Sequence, residues 1–153
     1  MNVEIKQMPE FRVATVRHVG PYMRISEAFA RLGDVAGRTG LVGPETQMIG
    51  IFHDDPETTP AAELRSDAAL SVAPNAKIPE GLGEAKIPAG RYACAKHLGP
   101  YAGLPDSWAR LMGEWLPASG ERMKDTVSYE IYRNTPEDAK PEELVTEIYL
   151  PLA

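Results

Sequence analysis

Cysteine is nearly absent. A single residue, Cys94, cannot form an intramolecular disulfide, and it stands in the apolar stretch Tyr92-Ala93-Cys94-Ala95, where a cysteine behaves as a small buried hydrophobe. No apolar run approaches the length of a membrane span. The first residues, Met1-Asn2-Val3-Glu4-Ile5-Lys6, lack the basic stretch, apolar core and cleavage pattern of an export signal, so the expected compartment is the cytoplasm. An excess of basic residues is also missing. A net charge of −6 argues against a phosphate-binding surface, which needs clustered Lys and Arg, so direct DNA binding is not expected. The three histidines do not fall into a ligand-spaced set. His53 before Asp54-Asp55 lacks the fixed spacing of a metal site, and neither a metal nor another cofactor is expected. There is no glycine-rich phosphate loop and no nucleophile elbow, which disfavours nucleotide hydrolysis and serine-hydrolase chemistry.

What is present is a sequence written twice. His18-Val19-Gly20-Pro21-Tyr22 recurs as His97-Leu98-Gly99-Pro100-Tyr101, 79 residues later (97 − 18). In the same register Arg12 matches Arg91, Ala14 matches Ala93, and Ala30-Arg31-Leu32 matches Ala109-Arg110-Leu111. Further on, Glu63-Leu64 matches Glu143-Leu144 at an offset of 80 (143 − 63), a change that one inserted loop residue would explain. The halves divide near residue 78, into about 1–78 and 79–153.

Each half reads as strand, helix, strand, strand. Residues 11–18 and 91–98 are strand-like and stop at Gly-Pro. Ile25, Ala28, Phe29, Leu32 and Ala36 form an amphipathic stripe, as do Leu104, Trp108, Leu111, Met112 and Trp115, which predicts helices near 24–39 and 104–117. Pro105 fits the first turn of the second helix, and Gly40 and Gly120 close the two. Strands follow at 47–53 and 66–73, and at 126–133 and 144–150. The expected fold is α+β: a duplicated β-α-β-β unit, pseudo-twofold, with an antiparallel sheet, two main helices and a central groove at the seam. Ligand sites favour such junctions. The repeats leave no segment for a helix-turn-helix.

The order of these motifs resembles the GyrI-like, or AraC-effector-binding, family. The resemblance runs from Val13–Tyr22 through Gly50-Ile51-Phe52-His53-Asp54-Asp55-Pro56, Glu63-Leu64-Arg65-Ser66-Asp67 and Tyr129-Glu130-Ile131-Tyr132-Arg133-Asn134-Thr135-Pro136 to Glu147-Ile148-Tyr149-Leu150-Pro151-Leu152. It implies an SHS2-like repeat whose groove binds a small organic ligand. Family members include sensor domains fused to DNA-binding domains, stand-alone binders, gyrase inhibitors and hydrolases of cyclopropane-containing toxins. For this chain it implies drug or toxin binding or sequestration, hydrolysis of such electrophiles, or inhibition through a protein partner such as gyrase.

Glu130 is the leading site candidate. A carboxylate between Tyr129 and Ile131, in a strand suited to burial, must find a partner or take up a proton. It either meets a cationic ligand, acts as a general base, or turns to solvent and pairs with a neighbour such as Arg133. Tyr132 shares its face by two-residue alternation. Trp108 and Trp115 are placed to stack on a flat ligand or attract a cation, or else are core. Trp115 matches Ala36 in the first copy, an asymmetry that favours a ligand role. Phe52, Met48 and Tyr92 are further apolar lining candidates. His18 and His97, at equivalent positions before Gly-Pro, suggest a shared structural task.

Overall fold

The computed structural model describes residues 1–153. In chain order the strands are β1 (Val3–Met8), β2 (Phe11–Val19), β3 (Met48–Phe52), β4 (Arg65–Ser71), β5 (Gly83–Ile87), β6 (Gly90–Leu98), β7 (Ser128–Tyr132) and β8 (Val145–Leu152). The helices are α1 (Ser26–Thr39), α2 (Leu104–Arg110) and α3 (Leu116–Ser119), the last two joined by a π-helical stretch, Leu111–Trp115. This is an α+β chain. No helix is long and apolar enough to cross a membrane.

The chain forms two compact units, Pro9–Ala89 and Met1–Met8 with Gly90–Ala153. In the first, antiparallel pairing gives the order β3-β4-β2-β5. One face is covered by α1, whose Ala28, Leu32 and Ala36 pack on Ala68 and Leu70. In the second, the order is β1-β6-β8-β7, also antiparallel. Leu104 and Leu111 of its helix pack on Ala93, Ala95, Ile148, Leu150 and Leu152. These are the stripes that the helical spacing selected, with one exception. Met112 is exposed at 37 % and leaves the stripe it was assigned to.

Two features correct the sequence reading. Each unit has four strands, not three, because β1 and β5 are added at the edges. The added strand is the one that precedes the other copy in the chain: β1 bonds to β6 and β5 bonds to β2. Both are edge strands that alternate apolar with charged residues, Val3-Glu4-Ile5-Lys6 and Glu84-Ala85-Lys86-Ile87, a period-two pattern whose charge suits strands with an open side.

The second correction concerns the extra residue of the second copy. Leu32 and Leu111, both fully buried, are equivalent at an offset of 79. The helix-closing glycines, Gly40 (φ 68°) and Gly120 (φ 78°), are offset by 80 (120 − 40). The insertion therefore lies inside the helix and not in a loop. There the amide of Leu116 bonds to the Leu111 carbonyl, five residues back, and the helix widens to absorb one residue. Pro117 follows and has no N–H to restore the regular bond to Gly113. The widened turn changes the offset beyond Leu111, which is why Trp115 has no one-to-one counterpart in α1; Met112 is exposed, as is its match Gly33 in the first copy.

Both copies end their first strand in the same way. Gly20 and Gly99 adopt positive φ (131° and 116°), and their amides bond to the carbonyls of Leu64 and Leu144 at 2.8 and 2.9 Å. His18 and His97 each direct Nε2 to the carbonyl of the following proline, Pro21 and Pro100, at 3.0 and 2.9 Å. The shared histidine is a clamp on the turn.

Candidate functional site

Strand β7 alternates, so Tyr129 and Ile131 point to one side and Glu130 and Tyr132 to the other. Glu130 pairs with Ile148, a residue of the helix-covered core, and directly opposed residues share a face. Glu130 therefore points toward α2. It is 4 % exposed. Its Oε2 accepts a hydrogen bond from the Trp108 indole Nε1 at 2.6 Å, and its Oε1 accepts one from the Tyr132 hydroxyl at 2.7 Å. Both donors are neutral. Tyr101 meets the Tyr132 ring edge-on, with centroids 5.6 Å apart.

Comparison with the other buried carboxylates isolates Glu130. Asp67 is bonded by Arg17 Nε and His53 Nε2, each at 2.6 Å. Glu147 accepts from Arg133 at 2.6 Å and Tyr149 at 2.8 Å. Burial pushes both acids up, but the hydrogen bonds from His53 and Arg17 to Asp67, and from Arg133 and Tyr149 to Glu147, outweigh it and each ends below the ordinary carboxylate range. Arg133, the neighbour that might have neutralised Glu130, is thus committed to Glu147. In Glu130 burial wins over the Trp108 and Tyr132 hydrogen bonds and the electrostatic influence of His97, and the pKa is raised. Burial and the Glu130 charge also push the Tyr132 phenol well above its usual value. The result is a carboxylate held in place by geometry and left short of positive charge, which a cation can supply.

This arrangement exists in one copy only. At the matching positions the first copy has Gly50 for Glu130, Phe52 for Tyr132 and Phe29 for Trp108. The Tyr22–Phe52 edge contact, 4.9 Å between centroids, repeats Tyr101–Tyr132 without the hydroxyl. The aromatic frame thus belongs to the fold, while the acid and its two donors are present together in the second copy.

The remaining candidates are dispersed. Trp115 packs on the second unit's core and lines a cavity of about 210 Å³ with Met1, Arg110 and Glu114. Tyr92 lies on the opposite sheet face from Glu130, in edge contact with Tyr129 and Tyr149, which stack at 4.6 Å. Met48 and Phe52 belong to the other compact unit, Met48 against the α1 core and Phe52 against Tyr22. Tyr101 was not singled out from the sequence, although its place in the repeated Gly-Pro-Tyr turn was the available signal. Cys94 is buried and its thiol is pushed up by burial.

Comparisons with known proteins bear on the family and the fold. The chain is 30 % identical over 157 residues to a protein named DNA gyrase inhibitor from Erwinia billingiae, covering 100 % of this chain and 98 % of the relative. It is 31 % identical to the probable transcriptional regulator YgiV of Escherichia coli K12, covering 100 % and 97 %. Among solved structures, EcmrR in a complex with DNA superposes with a TM-score of 0.82 at 20 % identity, over 99 % of this chain. This chain spans only 57 % of that one. SAV2435 bound to tetraphenylphosphonium superposes with a TM-score of 0.70 at 13 % identity, over 100 % and 94 % of the two chains. The pattern of the GyrI-like small molecule binding domain matches residues 1–153, end to end, and the chain belongs to that family.

Proposed function

We propose that the protein binds a lipophilic organic cation at the Glu130–Trp108–Tyr132 cluster, with sequestration of a drug or toxin as the outcome. The observation that carries this reading is the contrast among three buried carboxylates: Asp67 and Glu147 have arginine partners, and Glu130 has only neutral donors. A delocalised cation restores the missing charge, and Trp108, Tyr101 and Tyr132 offer aromatic surface to its rings. The likeness to a fold that holds tetraphenylphosphonium supplies a probe.

Titration calorimetry with tetraphenylphosphonium tests it. Glu130→Gln keeps the shape and one acceptor oxygen but removes the charge, and costs on the order of 2 kcal/mol, roughly thirtyfold in affinity. Equal affinity in the two proteins, or no binding to the wild type, overturns the reading. The raised pKa of Glu130 also suits a general base acting on an electrophilic substrate. In that case Glu130→Gln retains substrate affinity while single-turnover hydrolysis falls by about two to four orders of magnitude.

A further inference from the structure

Ser107 and His97 form a second polar pair, distinct from the Glu130 cluster. The Ser107 hydroxyl lies 2.7 Å from His97 Nδ1, and His97 Nε2 lies 2.9 Å from the Pro100 carbonyl. A carbonyl only accepts, so Nε2 carries the ring proton, and in the neutral imidazole Nδ1 accepts from Ser107. Hydroxyl, base and a group that fixes the base's tautomer are the three parts of an activated nucleophile. The pair borders an open surface depression of about 380 Å³ that Lys96, Leu98, Asp106 and Arg110 also line.

The first copy is an internal control. His18 makes the same bond to its proline carbonyl, but the residue matching Ser107 is Ala28 (107 − 79), which is fully buried. Clamping the turn therefore requires the imidazole and not the serine. The hydroxyl is particular to the second copy, and there it borders the depression.

We propose that His97 and Ser107 form an acyl-transfer site for small carboxylic esters. Ser107 Oγ forms a bond to the ester carbonyl carbon while its proton passes to His97 Nδ1. The ester C–O bond then breaks, and the departing alkoxide takes that proton. Water attacks the acyl-serine, gives its proton to His97, and releases the acid as Ser107 recovers its own. Lys96 and Arg110, the latter paired with Glu114 at 3.6 Å, line the depression beside Asp106.

The full chain is treated with a fluorophosphonate, in which the Oγ–P bond forms as the P–F bond breaks, and separately with p-nitrophenyl acetate. One adduct is expected, mapped to Ser107 by mass spectrometry, with a burst of nitrophenolate. Both are lost in Ser107→Ala, a substitution whose fit the Ala28 copy demonstrates. His97→Asn slows labelling by about a hundredfold or more. Because that variant removes the turn clamp, the wild-type pH profile supplies a second readout, in which labelling slows as an imidazole takes up a proton. An adduct elsewhere, no adduct at Ser107, or a rate that follows hydroxide alone overturns the proposal.

Discussion

At the scale of single residues, the charge on Glu130 links ligand binding to stability. Its pKa is raised in the folded chain, so this group's contribution to stability is fully present below the ordinary glutamate range and is lost as pH rises through the elevated value. Glu130→Gln removes that loss. The melting temperature of Glu130→Gln should therefore gain on wild type as pH increases from about 4 toward neutrality, measured by scanning calorimetry without ligand. Trp108, Tyr132, Tyr101 and His97 are the groups that face the acid, and all four are present in both proteins. A difference that is flat with pH would show that the acid is not strained by burial. Affinity for tetraphenylphosphonium should rise over the same window, since the ionised form is the one that attracts the cation.

At the scale of elements, the two helices are the same device with one residue of difference. Leu32 and Leu111 occupy equivalent buried positions, at 1 % and 0 % exposure. Truncation of either to Ala should cost about 2–5 kcal/mol, read from urea unfolding. A cost under 1 kcal/mol at Leu111 would mean that the widened turn beside it can collapse into the space. The seven-residue spacing of Trp108 and Trp115 signals a common face only for a regular helix. The insertion between Leu111 and Gly120 interrupts that regularity, yet both indoles still pack on the second unit's core. The change of offset was legible in the sequence, but its location was not, because a loop and a widened helical turn absorb one residue equally well.

At the scale of the whole molecule, chain order and unit membership differ. Residues 1–8 belong with Gly90–Ala153, through the pairing of β1 with β6. Removing residues 1–8 should therefore expose β6 rather than β2, its neighbour in sequence. Hydrogen exchange should show lost protection at the β6 amides that face β1, with β2 unchanged. The opposite pattern would refute the pairing.

The repeat, the helical stripes, the glycine closures and the Gly-Pro turns were fixed by the order of residues alone, since each depends on local backbone preference and a periodicity of a few residues. The alternation of β7 likewise puts Glu130 and Tyr132 on one face. Tertiary structure alone decided which acids are neutralised. Arg133 sits three residues from Glu130 in sequence yet pairs with Glu147, and Trp108, twenty-two residues away, supplies the bond to Glu130. Such pairings depend on sheet register and on which helix covers which face, and neither is written in local sequence. The edge strands show a legible apolar–charged alternation, Val3-Glu4-Ile5-Lys6 and Glu84-Ala85-Lys86-Ile87. What local sequence does not contain is the partner: so short a segment becomes a strand because a distant strand, β6 or β2, offers it hydrogen bonds.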